Sequence, residues 1–152
     1  MNNNTYDLKN IMTVKTYLEK RLHIFDYDET LYINNTYENK IAYQHYIIKT
    51  IKNLKKQGKL IAMASHNVDA ESYFFYRYPE IYHCFDMFVC EYPLNKDIMV
   101  SSILEKLNCK PDEAIFYDDR KYNIKLVEQL GVFCYLVDET IGIKFEDIYF
   151  KD

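Results

Sequence analysis

The chain has 152 residues, with 19 Lys and Arg against 23 Asp and Glu and a formal net charge of −4. That balance excludes a general nucleic-acid or membrane-surface binder, because both roles need a cationic footprint, and it leaves only a local basic patch open. At 49% apolar and 28% charged residues, the composition is that of one soluble globular domain, here residues 1–152 with its core at about 21–137.

From the start of the chain, "MNNNTYDLKN" is polar and lacks the apolar stretch of a secretory signal. "DLKNIMTVKTYLEK" (7–20) allows an extra helix packed on a sheet. "RLHIF" (21–25) reads as a first strand. "NKIAYQHYIIKTIKNLKKQG" (39–58) sets Ile41, Ile47 or Ile48, Ile51 and Leu54 near a 3.6 period, with Gly58 as a stop signal. "KLIAMAS" (59–65) is a second buried strand, and "DAESYFFYRY" a short helix closed by Pro79. "FDMFVCE" (85–91) reads as a third strand, followed by a helix over 95–108 with Ile98, Ile103, Leu104 and Leu107 on its apolar side. "EAIFYDD" (113–119), "KYNIKLVEQLG" (121–131) and "VFCYLV" (132–137) then give strand, helix and strand. This alternation predicts an α/β fold with a mostly parallel sheet and right-handed crossovers.

No apolar run approaches the roughly 20 residues of a membrane span. Cys84, Cys90, Cys109 and Cys134 have apolar neighbours and no C-x-x-C spacing. They read as small core residues in a reducing compartment, which fits a cytoplasmic protein. The 16 tyrosines reflect a bias of the whole chain and not a binding device.

The informative polar residues fall where strands end. Strand one runs into Asp26 and Asp28, strand two into Ser65, and strand four into Asp118 and Asp119, while Lys96 opens the helix after strand three. In an open parallel sheet the carboxyl ends share one edge, and ligands bind there. Residues i and i+2 of a strand share a side, so Asp26 and Asp28 could face one site. A lone D-x-D also serves as a turn or helix cap. A calcium loop is excluded, because Leu31 stands where such a loop needs Gly and Tyr37 where it needs Glu. Asp118-Asp119 alone suits a helix N-cap, and Ser65 with Asn67 a turn. Their joint placement at successive strand ends argues for a shared site.

Asp26-Tyr-Asp28-Glu-Thr30-Leu31 resembles the first motif of the haloacid dehalogenase superfamily, D-x-D-x-T-L. Ser65 after "LIAMA" resembles the second, Lys96 in "NKDIM" the third, and "IFYDDRKYNI" (115–124) the fourth. "ASHN" and "YDDRKYNI" look most like the capless magnesium-dependent phosphatase branch, which tends to have Arg where His66 and Asn67 stand. The resemblance implies a Rossmann-like three-layer α/β/α sandwich without a sizeable cap domain.

It also implies Mg2+ held by Asp26, Asp118, Asp119 and the main-chain carbonyl of Asp28. Asp26 would be the nucleophile that forms an aspartyl-phosphate, and Asp28 the acid and base. Lys96 would balance charge, and Ser65, His66, Asn67 and Lys96 would hold the phosphate or substrate. Thr30 would shape the turn after strand one. The short loops predict an open site for a phosphorylated small molecule or a phosphoprotein, with "YINNTYENK" (32–40) as a flap whose Tyr32 and Tyr37 could stack on a substrate ring. Two alternatives stand beside the phosphatase: a phospho- or acyl-transferase relative, and a metal- or phosphate-binding module without turnover.

Overall fold

Short runs of β-branched and aromatic residues build the centre of the molecule. In the computed structural model, which describes residues 19–144, they form five parallel strands: β1 (Leu22–Phe25), β2 (Leu60–Ser65), β3 (Met87–Cys90), β4 (Ala114–Asp118) and β5 (Phe133–Leu136). Their order across the sheet is β3-β2-β1-β4-β5. Apart from its last two positions, the helix expected over 7–20 lies outside the described residues, as does 145–152.

Four helices connect the strands: α1 (Tyr37–Lys56), α2 (Ala70–Arg77), α3 (Lys96–Lys106) and α4 (Lys121–Glu128). Each lies where the sequence pattern sets it, though α1 begins and ends two residues earlier than the 39–58 expected and the other three are shorter. Alternation along the strands divides the core into two layers. Phe25, Ile61, Met63, Ile115 and Tyr117 pack beneath α1 and α2 with Ile47, Ile51 and Phe74. Leu22, Ile24, Ala62, Ala64 and Phe116 pack beneath α3 and α4 with Met99, Ile103 and Val127. The result is an α/β/α sandwich, and no cap domain is inserted among the described residues. No helix among them is long and apolar enough to cross a membrane.

Three local expectations are corrected. Ile98 is 51% exposed, while Lys96, Met99, Val100, Ile103 and Leu104 form the buried face of α3. Lys96 fixes that helical phase by turning inward, which sends Ile98 to the opposite side. Ile41 also sits at the solvent edge of α1, where Tyr43 is buried instead. The 32–40 segment is only partly a loop, since Thr36 caps α1 by accepting from Asn39 N–H at 3.3 Å and Tyr37–Lys40 are helical.

His23 is buried on β1 between the Tyr117 hydroxyl (2.8 Å) and the Lys20 carbonyl (3.1 Å). Burial pushes the imidazole down to about 3, with Lys59 adding to the shift. Between that value and the ordinary 6.5 the unfolded chain takes up a proton that the folded chain refuses. His23 therefore contributes stability that is present above pH 6.5 and is lost as pH falls toward 3, at up to about 1.4 kcal/mol per pH unit. Carboxyls raised by burial act in the opposite sense, so the readable quantity is a difference. Urea titrations between pH 7.5 and 5 should show stability falling faster in the wild type than in His23→Leu. Parallel curves would contradict this account.

Candidate active site

The register sets the level of the site. Phe25 aligns with Met63 of β2 and Tyr117 of β4, so the next residues of β1 and β4, Asp26 and Asp118, emerge together at the carboxyl edge. Both continue the even-numbered face that packs on α3 and α4. Lys96, the first residue of α3, reaches across from that layer, with Nζ 2.8 Å from Asp118 Oδ2 and 3.2 Å from Asp26 Oδ1. Lys96 is 1% exposed, Asp26 8% and Asp118 0%. Such a dry ion pair needs further hydrogen bonds to be tolerated, and it has them. Asp26 Oδ1 accepts from Tyr27 N–H at 2.8 Å, and Asp118 Oδ1 accepts from Arg120 N–H at 2.9 Å.

Asp118 Oδ2 accepts a further bond from Asn123 Nδ2 at 3.1 Å. Asn123 is a partner that the sequence reading did not assign. Its signal was available: an Asn five residues after Asp118, in the first turn of α4, faces back toward the strand end.

Asp119 completes the cluster. Carboxylate oxygens of Asp26, Asp118 and Asp119 all lie within 4.8 Å of one another. When ionised, the three carboxylates outnumber the single ammonium of Lys96, with the Arg120 guanidinium also acting on Asp119. Burial holds the Asp26 carboxyl above the usual range, with Lys96 opposing and Asp118 adding to the shift. Burial likewise pushes Asp119 up to about 6, with Asp118 adding to it. Burial alone would lower Lys96, but Asp26 and Asp118 outweigh it and the ammonium is held charged. The set is made only of hard oxygen donors whose negative charge exceeds that of Lys96 when ionised, and it therefore fits a divalent Mg2+.

Asp28 does not join this cluster. β1 ends at Phe25, and the chain then turns tightly, with Thr30, Leu31 and Tyr32 N–H groups all donating to the Tyr27 carbonyl. The Asp28 carboxylate is exposed and accepts from Asn67 Nδ2 at 3.1 Å. Thr30 is buried in the turn, as expected, and its carbonyl accepts from the Tyr43 hydroxyl.

Ser65 ends β2 at 1% exposure, with its Oγ accepting from Asn67 N–H at 3.0 Å. That bond leaves the hydroxyl hydrogen available as a donor. His66 is turned toward the loop before α3, with Nε2 2.7 Å from the Leu94 carbonyl. One ring nitrogen is therefore already engaged. Tyr32 is covered by the Arg77 guanidinium at 3.8 Å and packs on Tyr27 at 6.2 Å, so its ring is occupied within the protein. Tyr37 is 78% exposed on the first turn of α1. Cys90 lies beside Ser65 in the sheet, but burial pushes its thiol up to about 11, which removes it as a nucleophile at neutral pH.

A family model described as haloacid dehalogenase-like hydrolase matches residues 3–137. Comparison with curated proteins gives no match. Among solved structures, the N-terminal part of a Bacteroides fragilis protein containing a phosphatase domain, complexed with Mg, superposes with a TM-score of 0.72 at 23% identity. The match covers 93% of this chain but 42% of that one, so the chain spans about two fifths of its length. A mutant of a Bacteroides thetaiotaomicron enzyme of the same family, in complex with magnesium and inorganic phosphate, gives a TM-score of 0.63 at 13% identity, covering 86% of this chain and 99% of that one. A Streptococcus pneumoniae hydrolase gives 0.62 at 15% identity, covering 86% and 90%. At these identities the likeness is one of fold.

Proposed function

Since the chain belongs to the haloacid dehalogenase-like hydrolases, we propose that it is a Mg2+-dependent phosphatase that hydrolyses phosphomonoesters through an aspartyl-phosphate on Asp26. One observation carries this reading: three convergent carboxylates beside a buried lysine, at the edge of the sheet where Ser65 also ends its strand. Asp26, Asp118 and Asp119 would hold the metal, with the Asp28 carbonyl as the further ligand that the superfamily pattern suggests. When bound, Mg2+ supplies neutralising charge and polarises the phosphoryl oxygens.

The other steps belong to the protein. Oδ1 of Asp26 is held by Tyr27 N–H and Lys96, which leaves Oδ2 to attack phosphorus. As the bond from phosphorus to the leaving oxygen breaks, Asp28 gives that oxygen a proton. Asp28 then takes a proton from the water that attacks the aspartyl-phosphate, and inorganic phosphate leaves. Ser65 donates its hydroxyl hydrogen to a phosphoryl oxygen, and Lys96 offsets charge on the phosphoryl group as it transfers. With no cap inserted among the described residues, the site admits phosphorylated small molecules or a phosphoprotein side chain. Cys84, Cys90 and Cys109 are free thiols, which suits a reducing compartment.

Hydrolysis of para-nitrophenyl phosphate tests this reading. Protein stripped with EDTA should be inactive, and added Mg2+ should restore turnover and also raise the melting temperature. Asp119→Asn should need a higher Mg2+ concentration for both effects. Turnover that EDTA leaves untouched would overturn the metal assignment.

A further inference from the structure

The carboxylate expected to act as acid and base is exposed on a turn, where it could rotate freely. One side chain restrains it. We infer that Asn67 is a positioning residue that holds Asp28 toward the leaving group, an inference that rests on the phosphatase reading above.

Three bonds define the arrangement. Asn67 N–H donates to Ser65 Oγ at 3.0 Å, which anchors the backbone to the end of β2. Asn67 Oδ1 accepts from Asp69 N–H at 3.0 Å, in the turn that leads into α2. With the oxygen of the amide fixed in this way, its Nδ2 must face the other direction, and there it donates to Asp28 Oδ2 at 3.1 Å. The amide orientation is thus set by the fold and not by Asp28. One Nδ2 hydrogen is thereby committed to Asp28. Asn67 links the segment after β1 to the segment after β2, and it couples the acid directly to Ser65. An amide donor restrains a carboxylate without adding charge beside the phosphate, as a lysine or arginine in this position would.

General acid assistance matters most where the leaving group is a poor one. The readout is therefore kcat/KM, which reports phosphoryl transfer to Asp26, for two esters of similar size. Para-nitrophenyl phosphate leaves readily, and para-nitrobenzyl phosphate leaves as a much more basic alkoxide. Two variants separate positioning from structure. Asn67→Ser keeps an oxygen for Asp69 N–H and adds no charge but loses the donor to Asp28, whereas Asn67→Ala loses both. Each should lower kcat/KM for the benzyl ester by about tenfold or more, and for the nitrophenyl ester by less than about threefold. In an Asp28→Asn background neither substitution should lower the benzyl rate further, because interacting residues are not additive.

An equal loss for both esters, or a full additional loss in the Asp28→Asn background, would make Asn67 merely structural or a substrate contact and would overturn the inference. A wild type inactive on both esters would instead remove the phosphatase reading, and the role of Asn67 would fall with it.

Discussion

Asp26→Asn should lower kcat for para-nitrophenyl phosphate by about four orders of magnitude or more, as removal of a covalent nucleophile does. The substitution is close to isosteric. The amide oxygen can still accept from Tyr27 N–H and Lys96, so the geometry described for Oδ1 is preserved. What is lost is the second oxygen, the one free to attack. The fold should not suffer. Burial holds the Asp26 carboxyl above its ordinary value, so its contribution to stability is present at low pH and lost as pH rises through the folded value. Metal-free Asp26→Asn should therefore melt at or above the wild-type temperature at pH 8. Activity and stability would move in opposite directions, which distinguishes a catalytic role from misfolding. Asp26→Ala serves as a control against slow reversion of the amide to the acid. Acid quench of the wild type during turnover should trap a phosphoryl adduct on Asp26, visible by mass spectrometry. Turnover in Asp26→Asn within tenfold of wild type would mean that another group attacks phosphorus.

The second large effect is expected at Lys96. Replacing it with Met keeps much of the volume of the stem but removes the only ammonium within hydrogen-bonding reach of Asp26 and Asp118 among the described residues. Breaking a buried pair leaves uncompensated charge, a loss of about 3–5 kcal/mol. For a chain of this size that corresponds to a fall in melting temperature of about 10 °C. The sign of the pH dependence follows from Asp26. Without its cation the folded carboxyl rises further above the unfolded value, so the penalty is small at low pH and grows as pH rises. Calorimetry at pH 5 and pH 8 should show the larger deficit at pH 8, and added Mg2+ should recover part of it. The rate should fall by about 100- to 1,000-fold, the usual effect of losing one preorganised charge at a reacting centre. Lys96→Arg should not rescue activity, since a planar guanidinium does not fit a side-chain site that is 1% exposed. A Lys96→Met protein with unchanged stability at both pH values would contradict the picture of a dry ion pair. One with near-normal turnover would remove Lys96 from the chemistry.

The two positions differ in how far the sequence alone discloses them. Alternation of strands and helices depends on local periodicity, and the boundaries of all five strands fall within two residues of the pattern read from the chain. The polar residues at the strand ends were legible for the same reason: a carboxylate that interrupts an apolar run is conspicuous. Asn123 was less so, because an Asn in a helix is ordinary until the strand beside it ends in Asp118. Ile98 departs from the expected face because apolar character alone does not fix the phase of a helix whose buried face includes a lysine.

By itself the sequence determined that the fold is α/β with a parallel sheet, and it determined which residues stand at the carboxyl edge, since both follow from spacing along one chain. Only the tertiary structure decided which of them meet. The register of β1 against β4 brings Asp26 and Asp118 to one level, and the inward phase of α3 delivers Lys96 between them. Beyond the end of β1 at Phe25, Asp28 stands outside the three-carboxylate cluster and bonds to Asn67, 39 residues along the chain. Contacts between such distant residues depend on how strands pair and helices rotate, and no local preference in the chain encodes them.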